Sequence, residues 1–198
     1  LLQRTWNITA FGDIRGFGSW TSRAAVSREI KDPFIERFYA LMDEYVLKYR
    51  DVHFKREGDG FMASKKFEFG KDQKNICDFI ITLKDLTLSM LKEIKNCPEE
   101  FDGIVLRIFD GYVYEIMCVD ANDPERKRRV PEYVEYSTNG ASHLKEVNPE
   151  ILCLATKGTV RALGKYGSVF RVRNLEQPSC YPSSLNKVDV EGLKILRF

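Results

Sequence analysis

Two stretches of helical periodicity, set among runs of strand-like alternation, restrict this chain to folds that lay helices on a sheet. Phe34, Ile35, Phe38, Leu41, Met42, Tyr45 and Tyr49 recur at the spacing of one helix face. They follow the start signal Lys31-Asp32-Pro33, which puts Pro33 at an early helical position where its missing N–H is tolerated. A second helix is expected over about residues 71–95, with Ile80, Ile81, Leu83, Leu88, Leu91 and Ile94 mostly on its buried side and Pro98 as its stop. Ahead of both, residues 5–13 (TWNITAFGD) alternate as a strand with Trp6, Ile8 and Ala10 on one face. Between them, DVHFK and GFMASKKF flank Gly58-Asp59-Gly60, which reads as a β-hairpin.

Beyond the second helix, residues 103–120 read as a strand pair broken at Asp110-Gly111, and DANDPERKRRVPEYVEYS as an exposed arm or loop. A third helix is expected over STNGASHLKEV, then a strand EILCLAT and a closing pair, GSVFRVRN with GLKILRF. No repeat or low-complexity linker divides these pieces. The expectation is one α+β domain over residues 1–198, a mostly antiparallel sheet covered by helices.

At 198 residues the chain can bury a real core without disulfides or structural metal. The formal net charge of +2 is too small to imply a nucleic-acid binder, and the basic run Glu125 to Arg129 (ERKRR) has no stacking motif beside it. Five cysteines, Cys77, Cys97, Cys118, Cys153 and Cys180, are scattered without a C-x-x-C pair and read as reduced thiols. No apolar stretch reaches membrane-spanning length, and the first residues lack the order of a secretory signal. A cytoplasmic protein that engages neither nucleic acid nor membrane is expected.

Chemistry concentrates in two stretches of one type. FGDIRGFGS and KREGDG each set an Asp at the end of, or within, a turn between apolar strands, and adjacent strands would bring Asp13 and Asp59 together. Neighbouring carboxylates repel, so such pairs share a proton or a cation. Magnesium takes a few carboxylate oxygens and completes its shell with water and substrate phosphates. The glycines beside Asp13 would let backbone N–H groups approach a triphosphate.

With these motifs in view, the chain resembles the class III nucleotide cyclase catalytic domain. AFGDIRGF is similar to that family's F-x-D-I-x-G-F, KREGDGFMA to K-x-x-G-D-x-x-M-A, LRIFDGYV to R-I-G-I-x-x-G-x-V, and STNGASHL to D-x-V-N-x-A-S-R-L. The resemblance implies two divalent metal ions, magnesium or manganese, held by Asp13, Asp59 and the carbonyl of Ile14, with Gly16 and Phe17 against the substrate. It implies a head-to-tail homodimer whose sites lie at the interface. Lys55 falls at a purine-selecting position and Glu132 near the second base-selecting one. Asn139 matches the ribose-orienting asparagine. His143 stands where the family has a transition-state arginine, an exchange that is never neutral. Either His143 acts there as a cation, or Arg15 or Lys165 does, or the domain is catalytically weak.

These departures look most like the Pycsar-type pyrimidine cyclases of bacterial antiphage defence, which make cyclic UMP or cyclic CMP for a separate effector. A smaller base needs a pocket partly filled by bulk, which Tyr49 and Phe54 would supply unless they simply pack in the core. Uracil carbonyls suit guanidinium donors, for which Arg107 is a candidate. The expected activity is conversion of UTP, or next CTP, to the 3′,5′-cyclic monophosphate and pyrophosphate. An adenylate cyclase, suggested by Lys55, and a nucleotide-binding domain without turnover are the alternatives.

Overall fold

The computed structural model describes residues 3–14, 16–22, 28–96, 103–120, 123–132, 153–174 and 193–197. An eight-stranded sheet is built around β1 (Gln3–Ile14), which pairs antiparallel with β3 (Gly60–Lys66) on one side and β4 (Ile104–Asp120) on the other. Outward from β3 lies β2 (His53–Glu57); beyond β4 come β6 (Cys153–Thr156), β8 (Leu193–Arg197) and β7 (Arg171–Asn174). The far half of β4 pairs with β5 (Asp123–Glu132). Only β4 and β6 run parallel among the described pairings, so the sheet is mostly antiparallel, as expected.

The helices are α1 (Phe17–Ser22), α2 (Arg28–Lys48), α3 (Gln73–Asn96) and α4 (Lys157–Leu163), with a 3-10 helix at Gly164–Val169. Alternation along each strand explains where the core sits. Ile8, Ala10 and Ile14 of β1 share a face with Phe61 and Ala63 of β3 and with Ile104, Leu106 and Ile108 of β4. That face forms one buried cluster with Phe38 and Met42 of α2 and Ile76, Ile80, Leu83 and Met90 of α3. The opposite face carries Thr5, Asn7, Thr9, Phe11 and Asp13 with Ser64 and Arg107. Its polar groups are tied together: Thr5 donates to Asn7 at 2.9 Å, Asn7 Nδ2 to Ser64 Oγ at 3.0 Å, and Thr9 and Ser64 hydroxyls lie 3.0 Å apart. One sheet therefore has an apolar side that packs the helices and a second side whose Thr5, Asn7, Thr9 and Ser64 are buried and hydrogen-bonded to one another.

Several expectations are corrected here. Helix α2 begins at Arg28, so Pro33 lies in its second turn and removes one i→i−4 bond instead of starting the helix. Leu88, expected on the buried side of α3, is exposed. Asp110-Gly111 is no turn: β4 runs straight through it, because Asp110 and Gly111 pair with Ile8 and Asn7 of the long central strand. The Asp110 carboxylate, which a turn would have used locally, instead accepts from Thr156 Oγ1 at 2.5 Å. Residues 123–132 form β5 instead of a loop, since the part of β4 that outruns β1 finds its partner there. Helices α1 and α4 were not foreseen. The expected third helix lies outside the described residues. The closing pair is present as β7 and β8. Cys77 and Cys153 are buried free thiols, and no helix among the described residues is long and apolar enough to cross a membrane.

Candidate active site

Asp13 is the next-to-last residue of β1, and alternation puts it on the sheet face away from the helices. Opposite it stands Gly60, where the strands approach so closely that a Cβ would lie 2.0 Å from the Gly12 carbonyl oxygen. The ladder continues one step past β3, with Ile14 N–H donating to the Asp59 carbonyl at 3.1 Å. Asp59 is thereby fixed beside the end of β1. Its turn is a two-residue reversal between Glu57 and Gly60, with Gly58 at φ 59° supplying the left-handed residue. The Tyr39 hydroxyl, on α2, donates to the Gly58 carbonyl at 2.9 Å and anchors the turn to the helix layer.

Asp13 and Asp59 open into one cavity of about 200 Å³, lined also by Glu57, Arg107, Phe11 and Phe61. Arg107, on β4, is largely buried, and its Nη2 stands 3.8 Å from Asp13 Oδ2. Three carboxylates and one guanidinium thus line the cavity, with the Lys55 ammonium 2.8 Å from Glu57 Oε1. No cluster of three or more His, Cys, Asp or Glu among the described residues forms a ready-made cation cage. Two carboxylates lining one cavity, one from β1 and one from the β2–β3 turn, suit a magnesium-like ion that keeps water and takes the rest of its shell from substrate phosphates. They do not suit a structural zinc, which wants four nitrogen or sulfur ligands.

The remaining candidates fall in distinct places. Gly16, at φ 82°, follows β1, and its carbonyl accepts from Trp20 N–H at 3.0 Å, opening α1; Phe17 is half-buried with its ring 5.7 Å from that of Trp20. Lys55 projects from β2 with its side chain largely exposed, and its Nζ lies 2.8 Å from Glu57 Oε1. Tyr49 and Phe54 belong to an aromatic stack behind the hairpin: Tyr49 is 4.6 Å from Tyr45, Phe54 5.5 Å from Tyr45 and 5.3 Å from Phe61. They back the cavity through Phe61 without lining it. Glu132 ends β5 opposite Tyr114. Lys165 is exposed on the 3-10 helix, its Nζ 5.3 Å from the Tyr166 ring centre. Arg15, Asn139 and His143 lie outside the described residues. Glu57 was missed at the sequence level; the signal was present in KREGD, where alternation sends Lys55 and Glu57 to one side of β2.

No protein-family model matches the chain, and no curated protein matches its sequence. Solved structures do. The adenylyl cyclase CyaB from P. aeruginosa superposes with a TM-score of 0.68 at 18% identity, covering 100% of this chain and 96% of that one. A bacterial light-regulated adenylyl cyclase gives 0.65 at 16% identity over 99% of this chain and 53% of that one. The guanylate cyclase domain of RhGC from Catenaria anguillulae, solved with GTP, gives 0.58 at 13% identity over 98% of each. The fold is that of the class III nucleotide cyclase catalytic domains.

Proposed function

We propose that the chain is a nucleotide cyclase. It converts a nucleoside triphosphate into the 3′,5′-cyclic monophosphate and pyrophosphate, with UTP favoured and CTP next. The observation that carries this reading is that Asp13, near the end of β1, and Asp59, in the adjoining β2–β3 turn, line one cavity. The reaction forms the bond from ribose O3′ to the α-phosphorus and breaks the bond from that phosphorus to the pyrophosphate oxygen. Divalent cations, magnesium or manganese, would acidify the 3′-hydroxyl and neutralise the leaving pyrophosphate.

The chain's own part is to hold and orient. Asp13, Asp59 and the Ile14 carbonyl are the proposed cation ligands. Gly16 and Phe17 follow one residue after β1, where they would border the triphosphate. Lys55 and Glu132 are proposed on the base side and Asn139 on the ribose, with Tyr49 adding bulk from the aromatic stack behind the hairpin; Arg107, 3.8 Å from Asp13 Oδ2, is proposed instead at the cation end of the site. His143, or failing it Arg15 or Lys165, would supply the cation at the transferring phosphoryl group. Lys55 and Asp59 are four residues apart, so in a head-to-tail homodimer they would serve different sites. The product would be read by a separate effector in bacterial antiphage defence, within the cytoplasm.

The test is incubation of purified protein with Mn²⁺ and each of ATP, GTP, CTP and UTP, with products resolved by mass and Asp59→Ala as control. A cyclic pyrimidine nucleotide absent from the control supports the reading. Cyclic AMP would make Lys55 an adenine reader. No product from any triphosphate would leave a binding domain without turnover.

A further inference from the structure

The cavity contains a cation of its own. Arg107 stands directly opposite Phe11 in the β1–β4 register and opposite Leu154 in the β4–β6 register, so it is held in the middle of the sheet. Its side chain is 11% exposed against 38% for Asp13. A guanidinium so far out of water is retained only where carboxylates compensate it. Asp13 Oδ2 stands 3.8 Å from Arg107 Nη2, and Asp59 and Glu57 line the same space. Three carboxylates stand against the Arg107 guanidinium and the Lys55 ammonium, which lies 2.8 Å from Glu57 Oε1, so the formal charge of the group is −1. One divalent cation already overshoots that charge until a polyphosphate restores the negative side.

We propose that Arg107 is a resident counter-cation: a positioning residue that holds Asp13 before any metal arrives and makes loading of the site with divalent cations depend on the triphosphate. The inference rests on the cyclase reading and adds to it a rule for the order of loading. A cation at Asp13 lies within a few ångströms of a fixed positive charge, and like charges at such separation in a poorly hydrated site repel strongly. The anionic substrate is what relieves the repulsion.

The experiment is Mn²⁺ titration of the full chain by calorimetry, alone and with the non-cyclisable analogue α,β-methylene-UTP, on wild type, Arg107→Met and Arg107→Lys. In wild type, Mn²⁺ alone is expected to bind weakly and the analogue to tighten it. In Arg107→Met, Mn²⁺ alone should bind roughly tenfold or more tighter, with the gain from the analogue correspondingly reduced. Arg107→Lys, which keeps the charge, should behave as wild type. Unchanged or weaker Mn²⁺ binding in Arg107→Met overturns the inference while leaving the cyclase reading intact. Tight binding of Mn²⁺ to wild type with no gain from the analogue overturns it without any variant, even if Arg107→Met fails to fold. Absence of Mn²⁺ binding with and without the analogue, in wild type and variants alike, would remove the cyclase reading itself.

Discussion

Within the turn between β2 and β3, three adjacent residues do different work. Gly58 provides a positive φ, Gly60 provides room for β1 to approach, and Asp59 is required by neither. An acid that the backbone does not need, held beside Asp13, fits the proposed cation site. Gly60→Ala tests the division: its Cβ would press on the Gly12 backbone, which has no flexible side chain to yield. The variant should lose about 1–3 kcal/mol of stability in urea denaturation and should lose activity although both carboxylates remain; an unchanged midpoint would contradict the close approach. Tyr45 makes a second residue-scale case. Burial pushes its phenol well above the ordinary 10.0. Thr82 uses its one proton on the Phe79 carbonyl, so the Tyr45 hydroxyl is the donor in their 3.1 Å contact. The folded state keeps this proton where the unfolded chain gives it up, so stability is intact below pH 10.0 and declines above it. Denaturation midpoints measured across that range should fall, and Tyr45→Phe should flatten the fall.

Among the elements, α4 shows how a motif misread in the sequence finds its use. Thr156 caps this helix by accepting from Thr159 N–H, and also donates to Asp110 in the middle of β4. Gly158 is demanded by the same contact, since a Cβ there would meet the Asp110 carboxylate at 2.1 Å. Thr156→Ala should cost about 1–2 kcal/mol, more than an exposed cap, because it strips both the helix and Asp110; a cost near zero in chemical denaturation would refute the linkage. The long periodic segments were legible: α2, α3, the β2–β3 hairpin and the closing strand pair all follow from apolar spacing. The continuity of β4 through Asp110-Gly111 was not, because an Asp-Gly pair signals a turn only when no neighbouring strand claims its backbone. Here β1 claims it on one side and Thr156 claims the carboxylate. Helices α1 and α4, of six and seven residues, are too short to show a period. Asp13 and Asp59 were legible as a pair because one ends a readable strand and the other sits in a readable hairpin turn. The placement of Arg107 beside Asp13 was not, since it depends on the register between β1 and β4.

For the molecule as a whole, the division of one sheet into two unlike faces organises everything else. Ile8, Ala10 and Ile14 bind the helices, while the residues between and beside them, Thr9, Phe11 and Asp13, face the other way. A one-residue slip of β1 would exchange the two sets, so the register that buries the core is the same one that presents the carboxylate. The most direct test is the rate at which cyclic nucleotide and pyrophosphate form in Mn²⁺, wild type against Asp13→Asn, with urea midpoints compared to show that both are folded. The account predicts that the folded variant loses product formation roughly a hundredfold or more. A folded Asp13→Asn protein that cyclises at the wild-type rate would contradict it.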